Sequence, residues 1–372
     1  MEGRLKKNSM SHRGSPNRPR TALAWGLGAF VLLQIGLAAG IELALPQLRD
    51  PLYGDKLHQL RRRIAGAPAS EVVVVLGSSR TVHALDAATA QRQLTATGAR
   101  PAEVYNFGVP GAGPVTNLVH LKRLLGGGVR PDLVVIEVLP PLLAGQAPAV
   151  ELFQFPAERV WWSEIPLIEH YTAVASGADH LRRDWWRGCC VPWHTHRFGI
   201  LRMLLPYFVP ARGREAWFAQ FDEHGWLGMH ASARTADSYR GGVARARAEY
   251  EGYLTGFRLG GPGCEALRES LATCREKRIR AALLLSPEGP EFQAFYSADA
   301  WLQIETYLRN LVREFDVALF DARDWARGDD FLDSHHLLIP GAARFSERFG
   351  RRTAALLRGP ARTAGARQNA PQ

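Results

Sequence analysis

The sequence predicts a three-layer α/β/α protein built on a doubly wound parallel sheet and held to a membrane by one N-terminal helix. Three observations predict this. An uncharged apolar run, Thr21 to Ile41, follows a basic N-terminus. Short aliphatic strands then alternate with helical stretches, the pattern of βαβ units and a sheet covered on both faces. A tryptophan-rich segment interrupts that alternation after the third strand.

The 372 residues suffice for one large domain with a sizeable core. The net charge of +10 would suggest a nucleic-acid partner if it lay on the folded part. It does not. Arg4, Lys6, Lys7, Arg13, Arg18 and Arg20 face only Glu2 in residues 1–20, and Arg351, Arg352, Arg358, Arg362 and Arg367 face no acid at the other end. These two termini hold the whole excess, so nucleic acid is not an expected partner.

TALAWGLGAFVLLQIGLAAGI is long enough to span a bilayer. The basic residues before it should stay in the cytoplasm and send the remainder outside. A cleaved leader with Ala38-Ala39-Gly40 as its cleavage site is the alternative; the run exceeds the ordinary length of a leader's apolar region, which favours a retained anchor. Residues 1–20 are therefore expected as a cytoplasmic tail and 21–45 as the anchor. Residues 46–70, interrupted by Pro46 and Pro51, are expected as a stalk containing a short helix at KLHQLRRR.

The globular domain should occupy residues 71–358. Val72 to Leu76 reads as a buried parallel strand ending at Gly77. A helical stretch over His83–Thr95 leads to a strand at Glu103–Asn106 and the loop GVPGAGP. A helix over Val115–Leu125 precedes the strand Leu133–Val138. Two further strands are expected at Ala281–Leu285 and Val317–Phe320, preceded by helices over 264–278 and 298–314. The last helix should start near Pro340, since proline suits a first-turn position. Residues 359–372 are small and basic, the composition of a disordered tail.

Between about 140 and 260 lie Trp161, Trp162, Trp185, Trp186, Trp193, Trp217 and Trp226, together with Pro156, Pro166, Pro192, Pro206 and Pro210. This reads as a helical insertion at the carboxyl edge of the sheet, where open α/β folds bind ligands. Either it walls a substrate site, or it is an aromatic-packed or membrane-facing subdomain. Four cysteines, Cys189, Cys190, Cys264 and Cys274, form no CxxC. Cys264 and Cys274 share one expected helix, too far apart to bridge each other. A bridge from the Cys189-Cys190 pair and free thiols both remain open.

Three loops carry residues suited to chemistry. Gly77-Ser78-Ser79-Arg80-Thr81 puts a serine on a strand-to-helix turn at a helix N-terminus. Asp333-Ser334-His335-His336 has an Asp three residues before a His, able to orient an imidazole that deprotonates a serine. Asn106-Phe107-Gly108-Val109-Pro110-Gly111 offers backbone N–H groups to an oxyanion. Arg80 either contacts an anionic substrate or lies on the helix surface, and Asn106 is a candidate substrate contact. His194-Thr195-His196 lacks accompanying carboxylates, so no metal is assigned. Glu288 and Arg323 either line the pocket or pair with each other.

This constellation resembles the SGNH, or GDSL-like, hydrolase superfamily; LLLSPEGPEF and DARDW look like a membrane-anchored, poorly characterised bacterial branch of it. The resemblance covers residues 71–350 apart from the insertion. It implies a flavodoxin-like three-layer fold, Ser79 as nucleophile, Asp333 and His336 as its partners, and the backbone N–H groups of Ser79 and Gly111 as oxyanion donors. Ser78 stands where the family has aspartate. Val138-Leu139-Pro140-Pro141 follows the third strand with no Gly-x-Asn-Asp, so the family's oxyanion asparagine has no counterpart. The activity implied is that of an extracytoplasmic serine esterase or O-acyltransferase acting, without a cofactor, on an acylated envelope glycan or lipid. The alternative is a catalytically weak relative that binds glycan or partners a membrane-bound O-acyltransferase.

Overall fold

A computed structural model of the chain describes residues 18–145, 151–172, 178–205, 208 and 220–358. The basic residues before Arg18, Pro206, Pro210, Trp217 and the tail 359–372 lie outside the described residues.

Five strands, β1 (Glu71–Leu76), β2 (Ala102–Asn106), β3 (Leu133–Val138), β4 (Arg280–Leu285) and β5 (Ala318–Asp321), form one parallel sheet in the order β2-β1-β3-β4-β5. This is the flavodoxin-like order, whose switch point lies between β1 and β3. Successive side chains of a strand point to opposite faces. Val72, Val74 and Leu76 accordingly pack with Leu121, Leu267 and Leu308 in one layer, and Val73 and Val75 pack with Leu94, Phe345 and Phe349 in the other. A continuous valine run is the pattern that a strand covered on both faces requires.

Two expectations need correction. The segment 46–70 is not a stalk: the helix Pro51–Gly66 packs on the sheet, with Leu57 and Leu60 in the same layer as Val74. Its charged run hides an apolar stripe of Leu52, Tyr53, Leu57 and Leu60, and Asp50 caps it by accepting from the Tyr53 N–H at 3.3 Å. The helical stretch after β1 is also two helices, Ser79–Ala84 and Ala87–Ala96. Asp86 breaks the run by capping the second helix, accepting from the Thr89 N–H at 2.9 Å.

The insertion leaves β3 and returns through a neck closed by the Ala144–Leu259 bridge. It contributes the helices Ile165–Thr172, Ala178–Cys190, Arg197–Leu204 and Ala236–Leu254. All four cysteines are free; Cys264 and Cys274 are buried on the helix Gly261–Glu276. The N-terminal helix Arg18–Leu43 is the one helix among the described residues long and apolar enough to cross a membrane, and most of its side chains are exposed.

Candidate active site

The site is built beyond the carboxyl ends of the strands, from the turn after β1, the loop after β2 and the loop between β5 and the last helix, Ile339–Arg358. β1 ends at Gly77, and the chain turns at once into the helix Ser79–Ala84. A Cβ at Gly77 would lie 2.1 Å from Thr81 Oγ1 and 2.5 Å from Glu137 Oε2, so only glycine admits this turn. Ser78 is buried; its Oγ accepts from the Arg80 N–H at 3.1 Å, capping the helix. Ser79, one residue on, is only partly buried.

The turn before the last helix brings the partners. Leu332 N–H donates to His336 C=O at 2.8 Å, and Phe331 bridges Leu337, closing a tight loop around residues 333–336. Asp333 Oδ1 accepts the N–H groups of His335 and His336, each at 2.8 Å. Asp333 Oδ2 lies 2.8 Å from His336 Nδ1, and His336 Nε2 lies 2.8 Å from Ser79 Oγ. A carboxylate can only accept, so Nδ1 carries the proton and Nε2 faces the hydroxyl with its lone pair. Burial pushes the Asp333 carboxyl up, but the His336 hydrogen bond, both imidazoles and the His335 N–H hold it well below the usual carboxylate range. His335 does not face Ser79. It is buried against Phe292 and Tyr250, and burial, then the neighbouring His336, keeps it neutral.

Asp333, His335 and His336 could between them offer three metal-ligand atoms within 4.8 Å of one another. Asp333 Oδ2 and His336 Nδ1 are spent on each other, however, and His336 Nε2 on Ser79. The arrangement is a hydrogen-bond relay. His196 of the HTH stretch is buried with Nδ1 on Leu48 C=O at 3.1 Å, whereas His194 is exposed, so the two do not converge.

Two residues expected at the substrate are elsewhere. Arg80 is 1% exposed: its Nη2 donates to Ser286 C=O, Pro287 C=O and Glu288 Oε1 at 3.0–3.2 Å, and its guanidinium stacks on Phe292. Asn106 is fully buried; Nδ2 donates to Thr81 C=O at 2.8 Å and Leu85 C=O at 2.9 Å, and Oδ1 accepts from Gly108 N–H at 3.0 Å. Nδ2 clamps the end of the short helix and Oδ1 its own loop, so both polar atoms of the side chain are engaged. Glu288 pairs with Arg323 at 3.3 Å, and Arg323 stacks on Trp301. The loop glycine packed on the serine turn is Gly108, whose ideal Cβ would lie 3.0 Å from Val82 N; Gly111 has Phe153 and Gln154 as its nearest neighbours. Pro140 and Pro141 are buried in a 3₁₀ turn after β3 and offer no N–H.

Two site residues went unrecognised in the sequence. Glu137, the single acid in the aliphatic strand β3, accepts from Ser78 N–H at 2.5 Å, Thr81 Oγ1 at 2.9 Å and Ser286 Oγ at 2.7 Å. A lone charge in a strand buried on both faces was the available signal. His83 lies four residues after Ser79 on one helix face, and its ring centroid is 5.4 Å from that of His336. Its Nδ1 donates to Leu227 C=O at 2.8 Å, while Trp226 Nε1 donates to His83 C=O at 3.0 Å, so the insertion is zipped to the serine helix. Gly242 of the insertion packs on Asp333, since a Cβ there would lie 2.4 Å from Asp333 Cβ. The insertion thus walls the site, although Trp226 is its tryptophan that does so; Trp162, Trp185 and Trp186 cluster together elsewhere.

Burial, then His336, lowers the His83 pKa to about 4, and burial, then Arg123, lowers that of His120 to about 3. Both folded values lie below the unfolded value near 6.5, so the unfolded chain binds more protons across that window. Stability should therefore fall as pH drops from about 6.5 towards 4. Each histidine should contribute roughly 2 kcal/mol of loss between pH 7 and 5. Asp333 adds a further loss at lower pH, as its depressed carboxyl protonates. Urea unfolding of the full chain in detergent at both pH values checks this, with His83→Gln and His120→Gln each expected to shrink the difference. An unchanged difference in both variants would refute the assignment.

Comparison with known proteins gives the following. A profile of the family described as "Protein of unknown function (DUF1574)" matches residues 52–153, and a second profile matches residues 262–357. No curated relative matches the chain. Among solved structures, the chain is similar to a lipase/acylhydrolase from Enterococcus faecalis, at 12% identity, 79% coverage of this chain, 100% of that one and a TM-score of 0.34. It is similar to Est24, a carbohydrate acetylesterase from Sinorhizobium meliloti, at 11% identity, 77% and 100% coverage and a TM-score of 0.37. It is also similar to a mutant of the esterase AlinE4, at 14% identity, 77% and 96% coverage and a TM-score of 0.33.

Proposed function

We propose that this chain, whose sheet order, serine turn and Asp-x-x-His turn give it an SGNH-like hydrolase fold, is a membrane-anchored serine esterase or O-acyltransferase. It works outside the cytoplasmic membrane on an acyl ester of a cell-envelope glycan or lipid. The observation that carries this reading is the unbroken relay Asp333–His336–Ser79 at 2.8 Å per step.

Ser79 Oγ attacks the acyl carbon while its proton passes to His336 Nε2. Asp333 keeps His336 in the productive tautomer and stabilises the imidazolium that forms. The developing oxyanion is held by the Ser79 N–H at the head of its helix; Gly111, expected as the second donor, lies against Phe153 and Gln154 instead of on the serine turn. His336 then returns the proton to the leaving alcohol oxygen, and the acyl group rests on Ser79. Water accepts it in hydrolysis; an envelope hydroxyl accepts it in transfer. Neutral His83 borders the same space. The buried prolines after β3 and the internal bond of the Gly108 N–H leave this oxyanion site short of donors. That observation favours a second reading: a weakly active envelope protein that binds glycan or partners a membrane-bound O-acyltransferase.

The test has two arms. A reporter fused after Gln372 should be active only on the far side of the membrane; a cytoplasmic signal would remove the envelope substrate. The purified full chain should hydrolyse aryl esters, slowly if one oxyanion donor is missing, since such a loss costs on the order of 10²–10³ in rate. No hydrolysis, together with glycan binding, would favour the second reading.

A further inference from the structure

We propose that the insertion carries a lipid-binding collar that seats the globular part on the bilayer beside the spanning helix. The inference rests on reading Arg18–Leu43 as a membrane span and is independent of Ser79 chemistry. Gln34 is a polar residue in that helix, yet only 7% exposed, and its Oε1 accepts the Trp193 N–H at 3.4 Å. Further along, Glu42 accepts the Trp162 N–H at 3.1 Å, and Ile41 packs with Leu48 and Ile200. Gln34 and Ile41 are seven residues apart, about 10 Å along the axis. The short helix Pro192–Thr195 therefore meets the spanning helix about 10 Å inside the end of its apolar run. Amphipathic segments reside 5–10 Å into the headgroup and acyl boundary. Depth alone places this part of the insertion in lipid.

The surface chemistry agrees. Trp186, Trp193, Phe198, Met203, Leu204 and Phe208 are between 50% and 73% exposed, an apolar load that water does not favour. The spanning helix that Trp193 meets exposes Leu27, Phe30 and Leu33 as well. Arg182, Arg183 and Arg187 are exposed on the helix Ala178–Cys190; Arg182 pairs with Glu169 and Arg187 with Asp184, so Arg183, beside His180, is the one of the three without a carboxylate partner among the described residues to meet an anionic headgroup. Tryptophan at the boundary with arginine beside it is the composition of a membrane interface. The occupant of this face is therefore the outer-leaflet lipid, and the collar sets the height of the serine site above it.

The test uses the full chain with Cys189→Ser and Cys190→Ser, the buried Cys264 and Cys274 being retained. An environment-sensitive fluorophore is attached through Trp193→Cys or Phe198→Cys, and through Leu302→Cys, an exposed position on another helix, as the reference. In vesicles of phosphatidylcholine and phosphatidylglycerol, a lipid carrying a shallow acyl-chain nitroxide should quench positions 193 and 198 at least about twofold more than position 302. Aqueous iodide should show the reverse order. Equal iodide quenching at all three positions, with no effect of the lipid nitroxide, would overturn the collar. Protection from both quenchers that grows with protein density would also overturn it and assign the face to a second copy. Both labelled positions are exposed, so Phe198→Cys decides the matter if Trp193→Cys fails to fold. Fluorophosphonate labelling of the same samples reports on Ser79 separately, so failure of the collar and failure of the esterase reading are distinguishable.

Discussion

Ser79→Ala should abolish labelling of the full chain by a serine-directed fluorophosphonate and should lower ester turnover by on the order of 10⁴–10⁶. The Ser79 hydroxyl lies against His336 Nε2 at 2.8 Å. His336→Ala should cut labelling nearly as far, because an unassisted serine hydroxyl is a weak nucleophile at neutral pH. Asp333→Asn should cost about 10⁴ through the wrong tautomer. Ser78→Ala is the control. Its Oγ caps the helix N-terminus, so the loss should be about 1 kcal/mol of stability with labelling retained. His335→Gln should likewise label, since that ring is turned into Phe292 and Tyr250. Full labelling of Ser79→Ala would place the reactive serine elsewhere. Labelling lost in Ser78→Ala but kept in Ser79→Ala would exchange the two residues.

Arg80→Met should destabilise the chain by roughly 3–5 kcal/mol, the cost of leaving buried charge without its partner. Arg80 lies between two carboxylates, with Glu288 Oε1 at 3.2 Å and Glu137 Oε1 at 3.8 Å, and all three side chains are at most about 1% exposed. Burial pushes the Glu288 carboxyl up, and Arg80 first, then Arg323 and Tyr296, oppose it. Without the guanidinium, Glu288 Oε1 keeps Tyr296 and Oε2 keeps Arg323, but the buried cluster loses the cation that lies between its two carboxylates. The double variant Arg80→Met with Glu288→Gln should recover part of the loss, because it removes a charge along with its partner. Denaturant unfolding in detergent reads both effects. If Arg80 bound an anionic substrate instead, Arg80→Met would raise KM with unfolding unchanged, and the structural assignment would be wrong. Glu137 belongs to the same cluster: it ties the Ser78 N–H and Ser286 Oγ to Arg80, so the ion network also holds the serine turn in place.

The sequence by itself determined the frame. Runs such as Val72–Leu76 and Leu133–Val138 are too apolar and β-branched to be anything but strands buried on both faces, and five such runs between helices leave few topologies. Ser79, Asp333 and His336 were legible as candidates because each lies on a short turn beside a regular element, but their selection as a set came from the family resemblance, and the fold is what brings them within hydrogen-bond distance. The apolar run of the N-terminal helix was legible from length and composition alone. Only the tertiary structure decided what depends on neighbours distant in sequence. Arg80 and Asn106 have the chemistry of substrate ligands, but Ser286–Glu288 and the carbonyls of the serine helix consume their hydrogen bonds. The helix Pro51–Gly66 looked solvated because its arginines mask a four-residue stripe, and its place on the sheet came from contacts with residues tens of positions away. The fate of the insertion was likewise undecidable from composition. A tryptophan has the same hydrophobicity whether it meets a substrate, a core or a lipid, and only the fold sends Trp226 to the serine helix and Trp193 to Gln34.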